Sequence, residues 1–173
     1  MGKKKIFIII GIFWVMILGG FIASKEFTIR TGNEILLKTA PIDPRDLFRG
    51  DYVILRYDIS TINTDSLAYQ GSDFKEGDKV YVLLSIDNHK IATIANISKN
   101  KPSKGIFIRG TIKSVYNNIL NIEYGIESYF VPEGKGKEIE RNLSKIYAKI
   151  IVDSFGNTVI KSLVLDGEDI DLN

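Results

Sequence analysis

Residues 79–98 read KVYVLLSIDNHKIATIANIS. Two runs rich in β-branched residues, Lys79–Asp87 and Lys90–Ser98, flank Asp87-Asn88, a pair whose Asn tolerates positive φ. That is the pattern of a β-hairpin. Outward in both directions the same alternation of short apolar runs and turn residues continues. It predicts strands over Ile35–Pro41, Tyr52–Ser60, Ile106–Tyr116, Ile119–Tyr124, Ser128–Val131, Ile146–Asp153 and Val159–Leu165. Asn117-Asn118 and Phe155-Gly156-Asn157 are the turns of two further hairpins. The fold expected is mainly β, a small antiparallel barrel or sandwich. One short amphipathic helix interrupts it over Gly134–Ser144, where Ile139 and Leu143 lie four apart and Glu133 and Lys137 are spaced to pair.

The N-terminus is of another kind. Ile6 to Ala23 is an uncharged run of 18 residues, IFIIIGIFWVMILGGFIA, twelve of them Ile, Leu, Phe or Val. As a helix it spans about 27 Å, close to the roughly 30 Å hydrocarbon core of a bilayer. It has no polar face, so it does not read as a core helix of a soluble protein. Lys3, Lys4 and Lys5 precede it, which places the N-terminus in the cytoplasm by the positive-inside rule. A cleaved signal peptide is the competing reading. It is disfavoured because Phe21 or Ile22 would occupy the −3 position, where cleavage needs a small residue. The expected organisation is a cytoplasmic tail (1–5), a single-pass transmembrane anchor through the lipid bilayer (6–23), a helical extension (24–34) capped at Gly32-Asn33, and an extracytoplasmic β domain (35–173) on a bacterial cytoplasmic membrane.

Composition removes several chemistries. There is no cysteine, which excludes thiol catalysis, disulfides and cysteine-ligated metals. Histidine occurs once, at His89 in the hairpin turn, and one imidazole cannot assemble a zinc site. No metal and no cofactor is expected. Three of the 23 basic residues precede the apolar run, leaving 20 against 21 acidic residues in the remainder. No nucleic-acid face is expected from that balance. Lys99, Lys101 and Lys104, set among Asn100, Pro102, Ser103 and Gly105, read as a solvated loop.

The most distinctive stretch is Pro41 to Tyr57, PIDPRDLFRGDYVILRY. Asp43 is placed to cap a helical turn, Pro44 sits at its first position and Gly50 supplies the exit. Along the strand Val53, Leu55, Tyr57 and Ile59 share an apolar face; Tyr52, Ile54, Arg56 and Asp58 share a mixed one. Gly50-Asp51-Tyr52, then Leu55, then Tyr57 resembles the pattern that names the GDYXXLXY family of membrane-anchored bacterial proteins, and Pro41-x-Asp43-Pro44-Arg45 resembles its lead-in. Tyr124-Gly125-Ile126-Glu127-x-Tyr129-Phe130-Val131-Pro132-Glu133-Gly134, followed by Gly136 and Glu140, is a second match. The resemblance covers nearly the whole chain. It implies a single-pass anchor, an extracytoplasmic domain without an assigned activity, and a multi-pass membrane protein as partner.

The candidate binding residues are accordingly Asp43, Arg45, Asp51, Tyr52, Arg56, Tyr57, Glu127, Tyr129, Glu133 and Glu140, with no catalytic residue assigned. The expected role is a non-catalytic component of a membrane complex. A cell-envelope hydrolase built from the carboxylates of both motifs, and a small-ligand-binding envelope domain, are the alternatives. An ion pair between Arg45 or Arg56 and a glutamate of the second motif is expected to link the two. The Gly-Asp-Tyr-Val entry to a strand also looks loosely like the β domain of membrane-anchored signal peptidases. No serine lies between Lys25 and Ile59, so their Ser/Lys proteolysis is excluded.

Overall fold

The computed structural model describes residues 3–40, 52–64, 73–132, 139 and 142–170. The chain is mainly β, and its antiparallel strands curl into a half-barrel. Helix α1 (Lys3–Thr31) precedes them. It is long and apolar enough to cross a membrane, with a mean hydropathy of 2.8 and none of its apolar window buried against the protein. A helix apolar on all sides has no stripe to pack on a core, so it stands clear of one.

Only the last turns of α1 meet the β head. Strand β1 (Asn33–Ala40) follows after Gly32, so the helical extension ends at Thr31 and the strand starts two residues earlier than the sequence suggests. Gly32 does not take the left-handed cap conformation. Glycine is needed there for room. A Cβ would lie 2.5 Å from Ile151 Cγ2 and 2.8 Å from the Val152 carbonyl oxygen. Thr28, buried, donates its hydroxyl to Asp153 at 2.8 Å.

Strand β1 runs antiparallel to β10 (Ile146–Val152), with Asn33 opposite Val152 and Lys38 opposite Tyr147. Its far end pairs with β3 (Arg56–Tyr57), and β10 pairs with β11 (Thr158–Leu165), which carries the short β12 (Glu168–Asp169) on its outer side. The second large sheet has the order β4 (Thr61–Asn63), β8 (Ile119–Glu123), β7 (Phe107–Tyr116), β5 (Lys79–Ile86), β6 (Ala92–Ser98). A two-stranded piece joins β2 (Tyr52–Ile54) to β9 (Ser128–Phe130). The inward residues form one core in which Ile35, Leu37, Ile108, Ile112, Leu120, Ile146, Ile150 and Leu163 are all but fully buried. Each contributes about 1.5–3 kcal/mol of burial.

Two expectations need correction. Tyr52–Ser60 is not one strand: it breaks at Leu55 into β2 and β3, then closes in a 3-10 turn over Asp58–Ser60. The chain changes partner there, and Leu55 gives its N–H to the Glu127 carbonyl (2.7 Å) rather than to a ladder. The side-chain alternation survives the break, since Val53, Leu55, Tyr57 and Ile59 are all buried. In the 87–90 turn the left-handed residue is Lys90 (φ 64°), not Asn88, because Asp87 Oδ1 accepts both the His89 and Ile91 amides and tightens the loop around them. His89 is exposed there. At Asn117 (φ 45°) and Asn118 (φ 62°) the expected left-handed pair is present. Strands β4 and β12 were too short for any periodicity to announce them. The helix expected over 134–144 lies for most of its length outside the described residues. Its apolar positions Ile139 and Leu143 are both buried, and Leu143–Lys145 is a 3-10 turn.

Asp153 holds the helix–head junction. Burial opposes its ionisation, but hydrogen bonds from Asn157, Thr28 and Phe155 outweigh that and hold its pKa below the ordinary value of 3.8. A carboxyl with a lowered folded pKa stabilises fully above the unfolded value and loses that contribution as pH falls through the lowered one. The head is therefore expected to lose stability progressively below about pH 4, and Asp153→Asn to make that loss shallower, the remainder coming from Glu34, Asp78 and Asp169, whose pKa values are lowered by their lysine partners. Thermal melts of both proteins across pH 2–7 check this; parallel profiles would contradict it.

Candidate functional site

The two sequence motifs meet in one place. Tyr52 pairs with Phe130, Val53 with Tyr129 and Ile54 with Ser128 across β2 and β9. Below that ladder two buried tyrosines are exchanged. Tyr57 of the first motif donates its hydroxyl to the Ile126 carbonyl (2.5 Å), and Tyr124 of the second donates to the Ile59 carbonyl (2.6 Å). Burial, reinforced by the nearby Glu127 charge, drives both phenol pKa values far up, so both hydroxyls stay protonated donors. Glu127 itself accepts the amides of Tyr124 and Gly125 (2.5 and 2.8 Å). It closes the turn in which Gly125 has φ +81°.

Beside this lock lies a cleft of about 860 Å³, open to solvent. Its walls come from β2, the break at Leu55, Arg56, Ser60, the β7–β8 pair, Glu127 and Ser128. Lys113 reaches it because the β7–β8 register slips between Ile112 and Ser114, leaving Lys113 as the extra residue of a bulge. Lys113 pairs with Glu123, a hydrogen-bonded contact that raises the lysine's pKa. Arg56 Nη2 donates to Thr61 Oγ1 (2.7 Å) and Asn121 Oδ1 (3.1 Å), and Asn121 in turn donates to Ser114 (2.9 Å). At the rim Tyr52 and Phe130 stack edge to face, 5.5 Å between centroids, each half-exposed.

Five of the ten candidate residues are placed. Tyr52, Arg56 and Glu127 line the cleft. Tyr57 is sealed in the core, out of a ligand's reach, and Tyr129 is half-buried against the core. The expected ion pair from Arg56 to a glutamate of the second motif is not made among the described residues: the 3-10 turn swings Thr61, and β8 brings Asn121, to the guanidinium instead. Among the described residues the motifs are joined by the β2–β9 ladder and by tyrosines, not by charge. Asp43, Arg45, Asp51, Glu133 and Glu140 lie outside the described residues. The sequence reading missed Lys113, Asn121 and Glu123. Their signal was present only as polar residues interrupting two apolar strands, and a bulge hides the phase.

Chemically the cleft mixes apolar wall from Ile54, Leu55 and Ile122 with polar side chains that are already paired with one another. A catalytic lysine needs a lowered pKa, whereas Lys113 has a raised one. The Glu127 carboxylate is spent on two backbone amides. No group of His, Asp or Glu among the described residues is arranged to hold a metal ion.

Fold and site together describe a small half-barrel head carried on one apolar helix, its cleft built where two tyrosine-bearing segments cross. The family model described as GDYXXLXY protein matches residues 14–163, and the chain belongs to that family. No curated protein and no solved structure matches the chain.

Proposed function

We propose that this protein is a single-pass component of a bacterial membrane complex, with its N-terminus in the cytoplasm and its β head outside, and that the cleft rim is a docking face for a multi-pass membrane partner. The observation that carries the reading is the division of labour within one motif. Tyr57 is spent on holding the head together, whereas Tyr52 and Arg56, on the opposite face, are left at the surface beside Phe130. Aromatic residues and arginine are the side chains that anchor protein interfaces most strongly. Hydrolysis is disfavoured because Glu127 already serves as a backbone cap and Lys113 is tied to Glu123. The volume of the cleft favours one second reading, a bound small ligand, since ligand sites span roughly 300–1,000 Å³.

The test is purification of the full chain from membranes in mild detergent, followed by native mass measurement. The wild type is expected to migrate as a complex containing a multi-pass protein. Tyr52→Ala combined with Arg56→Ala is expected to release it while the head melts at an unchanged temperature. A wild type that always purifies alone contradicts the docking reading. A ligand retained in the cleft, lost in the same double variant, would favour the second reading.

A further inference from the structure

We infer that the end of the head from which α1 emerges is a lipid-facing rim, in which Phe155, Lys101 and Lys104 engage anionic phosphate headgroups of the bilayer. This rests on the proposed membrane anchoring and adds to it a second, head-borne contact. The geometry begins at the junction. The buried Thr28–Asp153 hydrogen bond fastens the β10–β11 turn to the side of the helix. Thr28 is five residues beyond Ala23, the end of the uncharged run, a rise of about 7 Å. The headgroup zone of each leaflet is about 5–8 Å thick. The turn is thus held at headgroup depth.

At its tip Phe155 is 54% exposed, although the turn is rigid: Asp153 Oδ1 accepts the Phe155 and Asn157 amides, and Gly156 takes φ +79°. Lys101 Nζ sits 4.9 Å from the Phe155 ring centroid. Its loop, Lys101 to Phe107, forms with Asn33, Asp153 and Ser154 a cup of about 300 Å³. Lys101 and Lys104 are exposed and form no ion pair among the described residues, in contrast to Lys99, which is tied to Asp78. The acidic groups nearby are already engaged, Glu26 with Arg30 and Asp153 with its turn. The rim is therefore apolar at its tip and net positive around it. An aromatic ring flanked by lysines whose stems lie along apolar surface is the composition that suits a bilayer interface. Basic groups at that depth are drawn to anionic lipid.

Trp14, inside the apolar run, is the sole tryptophan, which lets one method separate the two claims. The full chain is reconstituted into vesicles of equal parts phosphatidylcholine and phosphatidylglycerol. Wild-type Trp14 reports the anchor through quenching by acyl-chain-brominated lipid. Trp14→Phe combined with Phe155→Trp reports the rim through quenching by headgroup-nitroxide lipid. Trp14→Phe combined with Tyr52→Trp reports the opposite end of the head, because β3, just beyond Tyr52, pairs with the far end of β1. The expected result is strong quenching of the indole introduced at 155 and little at 52. The signal at 155 is expected to fall in pure phosphatidylcholine, and likewise on adding Lys101→Glu and Lys104→Glu. If Trp14 is quenched while the indole at 155 is not, or 52 and 155 are quenched alike, the rim is overturned and the anchor stands. Quenching indifferent to lipid charge and to both lysine reversals overturns the headgroup recognition. An unquenched Trp14 refutes the anchor, and the rim with it.

Discussion

Tyr57→Ala is expected to destabilise the head by about 3–5 kcal/mol, the range for removing a large aromatic side chain from a packed core. Two losses combine. The ring is 1% exposed, so its removal opens a cavity, and the Ile126 carbonyl loses the hydroxyl that satisfies it. Tyr57→Phe separates them: it keeps the ring and orphans the carbonyl, for about 1–3 kcal/mol. Tyr124→Phe removes the mirror-image bond to Ile59 and belongs in the same range. The two hydroxyl deletions share one crossing of chain segments, so the double variant is expected to deviate from additivity. Denaturant melts of the wild type and the four variants decide it. A Tyr57→Ala variant that melts like wild type would mean that the tyrosine exchange is not what joins the motifs.

Gly32→Ala is the second large effect, expected at about 1–3 kcal/mol for overpacking. The added methyl meets backbone as well as side chain, with the Thr28 and Val152 carbonyl oxygens 2.7 and 2.8 Å away, and backbone cannot step aside as a flexible side chain can. The cost falls on the junction, where Thr28 and Asp153 must stay within bonding distance. The expected readout is faster proteolysis between α1 and β1 and a smaller loss in the melt of the head. Equal protease resistance would show that the junction is looser than its contacts imply.

These two residues illustrate what could be read from the chain without its fold. The strand pattern is local, carried by alternation within four to eight residues and by Asn and Gly at turns. Accordingly β1, β5, β7, β8, β10 and β11 lie close to where the sequence places them. The inward face Val53, Leu55, Tyr57, Ile59 was equally legible, because side-chain period depends only on the backbone being extended. Which partner each strand takes is not local. The break at Leu55 hands β2 to β9 and β3 to β1, and no property of residues 52–60 alone announces that exchange. Arg56 shows the consequence for the site. Its charge suggested a glutamate partner, but its neighbours are Thr61 and Asn121, brought there by a turn and by a strand some 65 residues on.

The apolar helix, the β content and the family motifs were therefore determined by the linear order of residues, since length, hydropathy and short-range periodicity are properties of contiguous chain. The tertiary structure alone decided that two tyrosines cross between the motifs, that a bulge carries Lys113 into the cleft, and that Gly32 and Asp153 clamp the head to its helix. Each of these joins residues far apart in sequence. Such a contact forms only when the packing of the whole core makes it the one arrangement that leaves few voids and few unpaired polar groups.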